Sequence, residues 1–268
     1  MEQLQLMLPR NKEIESWFPV VSEKFREYEI NTANRIAGFM AQTGHESADF
    51  TVTEENLNYS VSALNRVFPR YFGVGKRNAA EYARNPEKLA NYVYMDEFRS
   101  ARGALGNTRP GDGWKFRGGG IKQLTGRNNY AAFGASIWMT ADQAASYVRS
   151  RLGSLESACW FWETNKISRF ADRDDIVGMS RAINGGNIGL EDRQNRYVRA
   201  KNILTEEMQI GATGNLVKDV QRKLGLSADG IFGADTRSAV AAWQKTHNYS
   251  ANGKLTQSQI AKILGSLK

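Results

Sequence analysis

The sequence predicts a mainly α-helical protein built in two parts, and three observations carry that prediction. Apolar residues recur at helical spacing in one segment after another, beginning with Ile36, Phe39, Met40 and Thr43 on one face. Clean apolar–polar alternation persists nowhere, and the one short candidate for a strand is Gly119–Leu124. A turn-rich break, "MQIGATGN" at 208–215, separates a large part from a small one. At 268 residues with 41% hydrophobic content, the chain is long enough and apolar enough for a packed core.

The first clear helix runs from Thr32 to Glu46, with Asn31 or Thr32 as its cap. Gly44 weakens its last turn, so His45 and Glu46 fall at its C-terminal end. "NLNYSVSALNRVFP" then reads as a loop, a Ser60 cap, a short helix and a stop before Pro69. Residues 103–120 form a glycine-rich loop. Thr140 caps a helical pattern leading into "RLGSLESACWFWETN". That helix is apolar around most of its girth, through Leu152, Leu155, Ala158, Trp160, Phe161 and Trp162, and is expected in a core. "ADRDDIVGMSRAINGG" holds another short helix that ends at glycines.

Beyond the break the pattern predicts three helices. The first is Leu216–Leu224, with Leu216, Val217, Val220 and Leu224 inward. The second is Thr236–Gln244, with Val240 and Trp243 inward. The third follows Thr256, where "TQSQ" is a capping box. "DGIFGADTRSAV" is echoed by "NGKLTQSQIAKIL", which indicates a small internal repeat. The expected domains are 1–207 and 212–268.

Composition excludes several classes. No apolar run approaches the ~20 residues needed to span a bilayer. "MEQLQLMLPRNKEIESWFPV" is interrupted too early by Gln, Pro and charges for a signal peptide, so the chain is expected to start in the cytosol. The single cysteine, Cys159, lies in an apolar stretch and reads as a buried thiol. A zincin needs His at i and i+4, but four residues after His45 stands Asp49, and His247 lies in the other part. No metal and no cofactor are expected. Net charge is +8. From residue 211 onward eight Lys/Arg face three Asp, so the small part carries +5 of it. An extended anionic partner would suit that part: nucleic acid, an acidic lipid surface or an acidic wall polymer. Nucleic acid is disfavoured, because the cations are not interleaved with aromatics in a recognisable module.

Two kinds of residue point to chemistry. Glu46 sits at a helix end, and Glu54 and Glu55 follow past a polar turn. Carboxylates on either side of such a loop can face one cleft with room for a water, as in inverting glycosidases. On spacing alone, Glu54 and Glu55 read more readily as solvated surface charges. "KFRGGGIKQLTGRNNY" (115–130) adds three glycines that would let a ligand approach the backbone. Gln123, Thr125, Asn128, Asn129 and Tyr130 then supply neutral donors and acceptors suited to sugar hydroxyls. The phosphate-loop pattern GxxxxGK[ST] is absent. "INGGNIGLEDR" (183–193) is a similar loop, with Asn184 and Arg193.

In order along the chain, "AQTGHES", a Glu before "NLNYS", "RGGGIKQLTGRNNY", "ACWFW" and "INGG" resemble the family 19 glycoside hydrolases. That family comprises chitinases and a branch of phage endolysins that cleave peptidoglycan. The resemblance covers roughly residues 30–200. It implies a lysozyme-like α-helical fold and an inverting mechanism. Glu46 would be the general acid, Glu55 the base with Glu54 as its understudy, and Thr125 would hold the attacking water. Gln123, Tyr130 and Asn184 match substrate-contact positions, with Arg193 beside them. His45 would stand behind the acid. The family's "GRGPIQ" reads "RGGGIKQ" here, and one cysteine allows no disulfide. The segment "VKDVQRKLGLSADGIFGADTRSAVAAWQKTHN" resembles the three-helix peptidoglycan-binding domain, with Asn252-Gly253 where Asp-Gly is usual in the second loop.

Together the two resemblances imply a monomeric endolysin that hydrolyses peptidoglycan. It would be made in the host bacterial cytoplasm and reach the wall through a separate membrane-permeabilising factor, without inserting in the membrane. A chitinase with the same residues, or a wall-binding phage structural protein with a dead glycosidase fold, are the alternatives. Intact Glu46, Glu55 and Thr125 argue against the last.

Overall fold

The computed structural model describes residues 1–204 and 207–265 and is mainly helical. Among the described residues, paired strands are limited to the antiparallel two-residue pieces Glu207–Met208 and Leu255–Thr256. The chain divides into two compact units. One comprises 1–18, 25–45 and 165–268, the other 19–24 and 46–164. The division falls between His45 and Glu46, at the end of the helix Ala33–Glu46.

In the first unit that helix begins where Thr32 Oγ1 accepts from the Arg35 amide, 3.2 Å. Its middle is buried from Ala37 to Gly44. Phe39 meets Phe25 edge-on at 5.1 Å. Gln42, fully buried, donates to Ser180 Oγ (3.0 Å) on helix Ile176–Asn184 and accepts from Arg193 (2.5 Å) on helix Leu190–Leu204. A buried amide with both ends satisfied ties three helices together.

The second unit packs around two apolar clusters. One gathers Leu57, Leu64, Phe72, Leu89 and Val93 about helices Val61–Val67 and Pro86–Val93. Ser60 caps the former, as the sequence predicts. The other gathers Phe116, Leu124, Tyr130, Phe133 and Val148 about helices Arg127–Ser136 and Ala141–Tyr147. Helix Arg151–Thr164 is the core helix expected, and Cys159 is buried within it. It also carries buried Glu156, which pairs with buried Lys24 at 2.7 Å and accepts from half-buried Tyr147 Oη at 2.5 Å. The expected strand near Gly119 is present only as single bridges, Glu54 to Gly119 and Gly119 to Leu124.

The small bundle, within the first unit, consists of helices Asn215–Lys223, Ala234–Thr246 and Gln257–Leu264. Val217, Val220, Phe232, Val240, Leu255 and Ile260 form its core, and Met208 joins them from upstream of the turn. Leu216 was expected inward but is 44% exposed. The buried stripe is centred on Val217, Val220 and Gln221, and a neighbour one position away is rotated by ~100°. The Thr256–Gln259 capping box is formed, at 3.2 and 3.3 Å.

The internal repeat has a physical centre. Gln221 donates to Asp229, to the Ile231 carbonyl and to Thr236, and accepts from the Gly230 amide. Gln244 donates to Asn252, to the Lys254 carbonyl and to Gln259, and accepts from the Gly253 amide. Every partner recurs at an offset of 23 residues, Gln221 to Gln244 and Gly230 to Gly253. Asn252 does what Asp229 does, which explains why the second loop tolerates Asn-Gly. Gln221→Ala should therefore leave the buried Gly230 amide without its partner and take one hydrogen bond each from Asp229, the Ile231 carbonyl and Thr236. We expect it to destabilise the bundle by about 2–3 kcal/mol, read by denaturant unfolding monitored by the ring-proton NMR signals of His247.

Candidate active site

Glu46 is half-buried at the end of its helix. The chain then turns through three consecutive residues in the left-handed region, Ala48 (φ 50°), Asp49 (φ 66°) and Phe50 (φ 64°). None is glycine, so each costs of order 1 kcal/mol. Ser47 Oγ, buried, accepts from the Phe50 amide at 2.9 Å and helps hold the turn.

Past this turn, Thr53–Glu55 lie along Gly118–Gly120. The Gly120 amide donates to the Thr53 carbonyl (2.7 Å) and the Glu55 amide to the Gly118 carbonyl (3.1 Å). Extended backbone sends successive side chains to opposite sides, and here that separates the two glutamates. Glu54 accepts from Arg117 at 2.6 Å, lies 3.8 Å from Arg149, and is exposed. Glu55 is half-buried and accepts from Tyr94 Oη at 2.5 Å and from the Gly118 amide at 3.3 Å. Arg117 is in turn seated 3.7 Å over the Trp114 ring.

The glycine run serves packing, which corrects the expectation that it admits a ligand. A Cβ on Gly118 would lie 2.7 Å from Gln123 Oε1 and 3.2 Å from Glu55 Oε2, and one on Gly119 would lie 2.5 Å from Tyr130 Oη. Protein atoms already fill that space. Glu55 and Gln123 therefore flank Gly118. Thr125 follows, its Oγ1 donating to the Gln123 carbonyl (3.0 Å) and leaving its lone pairs for another donor. Tyr130 is fully buried, with its hydroxyl on the Arg117 carbonyl (3.0 Å). It supports the loop from below and presents no surface to a sugar, contrary to expectation.

In the other unit Asn184 folds its own loop, donating to the Ile188 carbonyl (3.0 Å) and accepting from the Gly186 amide (2.8 Å). Arg193, expected at a substrate, is 2% exposed and holds Gln42 and the Ile188 carbonyl. His45 Nδ1 meets Asp192 at 2.7 Å, and Asp192 accepts from Arg196 at 2.6 Å. A Cβ on Gly189 would lie 2.4 Å from His45 Nε2, so this loop packs against the imidazole.

Sequence reasoning missed Tyr94. It lies 39 residues from Glu55, in no motif, and is placed by the fold. The Asn107 side chain, fully buried, donates to the Tyr94 carbonyl and accepts from the Arg127 amide. Arg127 pairs with buried Asp112 at 2.5 Å. A cavity of about 490 Å³ opens along this loop, lined by Asn91, Met95, Glu97, Asn107, Thr108, Pro110 and Gly111. Among the described residues no group of three or more His, Cys, Asp or Glu is placed to hold a metal ion, and no helix is long and apolar enough to cross a membrane.

Comparison with known proteins identifies the family. A Haemophilus influenzae protein described as "Glycosyl hydrolase family 19 domain-containing protein" is 38% identical over 162 residues, covering 60% of this chain and 76% of that one. This chain belongs to glycosyl hydrolase family 19. It is therefore a glycoside hydrolase. The fold is similar to that of chitinase C from Streptomyces griseus, with TM-score 0.52 at 15% identity over 76% of this chain and 90% of that one. A mutant of the same chitinase gives 0.51, again at 15% identity and the same coverage. Residues 213–263 match the family described as "Putative peptidoglycan binding domain", so the family 19 part is joined to a peptidoglycan-binding domain.

Four titratable groups with shifted values set a pH window for stability. Burial, then the charge and hydrogen bond of Glu55, push the Tyr94 phenol far up, and burial pushes Tyr130 up to about 12. For Asp112 burial acts upward, but hydrogen bonds from Arg127 and from the Arg109 and Thr108 amides outweigh it and hold the acid below its ordinary value. Asp192 is likewise lowered against its burial, by His45 and Arg196. Raised phenols stabilise fully below the ordinary tyrosine value, and that stability is lost as pH rises above about 10. Lowered aspartates stabilise above their ordinary value, and that is lost as pH falls below about 4. Tm measured from pH 3 to 11 should fall at both ends, and Tyr94→Phe should make the alkaline fall shallower.

Proposed function

We propose that this chain hydrolyses the β-1,4 bonds between the amino sugars of bacterial peptidoglycan with inversion, and that it acts as an endolysin. The observation that carries the reading is the joining of a family 19 hydrolase to a peptidoglycan-binding domain in one chain. The cytosolic start and release through a separate membrane-permeabilising factor are part of the same proposal, as is action as a monomer.

In the proposed mechanism Glu46 protonates the leaving glycosidic oxygen as the bond to the anomeric carbon breaks. A water attacks that carbon from the opposite face and gives its proton to Glu55. Tyr94 and the Gly118 amide hold the Glu55 carboxylate, so one geometry is imposed on the base. Thr125 Oγ1 accepts a hydrogen bond from the same water. Glu54 is turned away from these groups, with its carboxylate held by Arg117 at 2.6 Å and near Arg149 at 3.8 Å. Gln123 would contact sugar hydroxyls or N-acetyl groups. The Asp192 contact would orient His45 beside the acid.

The fold's likeness to chitinase C supports a second reading, action on chitin. Incubation with purified sacculi and with chitin, followed by reducing-end assay and anomer analysis by NMR, separates the two. New reducing ends of the α anomer from sacculi are expected, and product from chitin alone would overturn the wall reading.

The two carboxylates give a graded test. Glu46→Gln and Glu55→Gln should each lower kcat by about 10²–10⁴-fold, and Glu54→Gln should cost only a few-fold. Reversed severities at positions 54 and 55 would assign the base to Glu54.

The domain arrangement gives another. A chain ended after Leu204, short of Met208 in the small core, should keep its rate on soluble fragments. On intact wall its rate should fall, because the effective concentration supplied by the second module is gone. Equal slowing on both substrates would make the small part a folding support.

A further inference from the structure

The two halves of the small bundle repeat their buried hub but differ on the outside. At the offset of 23 residues, Val220, Leu224 and Leu226 of the first half correspond to Trp243, His247 and Tyr249 of the second. Val220 is buried in the core and the two leucines are half-buried. Their counterparts are rings brought together near the surface. Trp243 and His247 lie with centroids 4.4 Å apart and planes 24° apart, and Trp243 and Tyr249 are 5.7 Å and 18° apart. His247 and Tyr249 are exposed and Trp243 is half-buried. His247 Nδ1 is taken up by the Trp243 carbonyl at 2.8 Å, which fixes the ring on its helix. Lys262 from the third helix stands 5.4 Å over Tyr249.

Two of these near-parallel rings, His247 and Tyr249, are exposed beside an ammonium, while Trp243 backs them from the edge of the core. The hub does not need them, since the first half forms the same hub with aliphatic residues. Each ring face carries negative charge density that attracts polarised C–H groups. The apolar face of a pyranose offers such C–H groups, and its hydroxyls and N-acetyl groups can meet the ring edges. Lys262, and Lys245 on the same helix as Trp243, suit the carboxylates that accompany those sugars in an acidic wall.

We propose that Trp243, His247 and Tyr249 form the contact surface through which the small domain takes a strand of N-acetylated amino sugars. The inference rests on the reading of this domain as the wall anchor and assigns that role to one face and to the glycan strand of the wall.

The test uses the full chain in a Glu46→Gln background, so that the wall is not digested. Pelleting with purified sacculi should weaken about tenfold in Tyr249→Ala and in His247→Ala, while Asp219→Ala in the first half binds as the parent. The chain has two histidines, so the His247 ring protons can be assigned in NMR spectra by difference against His247→Ala. Titration with N-acetylglucosamine tetramer should shift them saturably, and should not do so in Tyr249→Ala. If both variants pellet like the parent, the inference fails and the wall reading stands. If the parent itself does not pellet, the wall reading fails and takes the inference with it. If a synthetic stem peptide shifts the His247 resonances and the sugar tetramer does not, the face reads peptide and the proposal is overturned. Circular dichroism of each variant excludes loss of binding through unfolding.

Discussion

The pairing of Thr53–Glu55 with Gly118–Gly120 is the constraint from which the site follows. Two backbone hydrogen bonds set an extended register, and extended register alternates side chains. Two adjacent glutamates are thereby given opposite fates. One is drawn to a pair of guanidinium groups and neutralised, and the other meets a phenol and a backbone amide. A slip of one residue would exchange them. Bulk at 118 or 119 would have to displace Gln123 or Tyr130, whose side-chain ends occupy the space a Cβ would need. The glycines, the buried tyrosine and the Arg117–Trp114 contact all serve that register.

The same logic extends outward. Tyr94 can hold Glu55 only if its own backbone is fixed, and Asn107 does this from the interior. Asn107 also anchors the start of the helix that carries Arg127, whose guanidinium closes on Asp112. A hydroxyl that points at a carboxylate is thus backed by a series of buried, satisfied polar groups. Such series hold one arrangement well, because breaking any link leaves a buried group without a partner. On the other side the left-handed turn at 48–50 is strained, and strain of this kind persists only where surrounding structure over-determines it. Its position directly after Glu46 places strained backbone beside the proposed general acid.

Much of the fold was legible in the sequence. The helices at 33–46, 61–67 and 151–164, the caps at Thr32, Ser60 and Thr256 and the repeated bundle all follow from periodicity and local polar chemistry. The carboxylate choice was half legible. The motif order places a glutamate before "NLNYS", but only pairing with a segment some 60 residues away says which side each one takes. Tyr94 was not legible, because its role is a through-space contact with no local pattern. Tyr130 and Arg193 were misread in the same way. A polar residue in a motif looks available to a ligand until burial shows that the protein has used its polar atoms itself. Leu216 was misjudged by one position around its helix, the smallest error that periodicity allows.

The small bundle shows how a repeat can separate stability from recognition. Each half is held by one buried glutamine that satisfies a loop carbonyl, a glycine amide and the opening side chain of the next helix. That hub is interior and polar, so it places few demands on the residues that flank it outside. In one half the flanking positions are aliphatic and complete the core. In the other, with the hub intact, they carry rings: Trp243 still packs against the core, and His247 and Tyr249 are exposed beside Lys262. Most of the chain's net positive charge also lies in this part, which has no carboxylates beyond three aspartates. Two of those aspartates are engaged in place, Asp229 by the first hub and Asp219 by Arg222. The lysines around the rings thus face little competing negative charge from their own domain, and an anionic polymer becomes the natural counterpart for them.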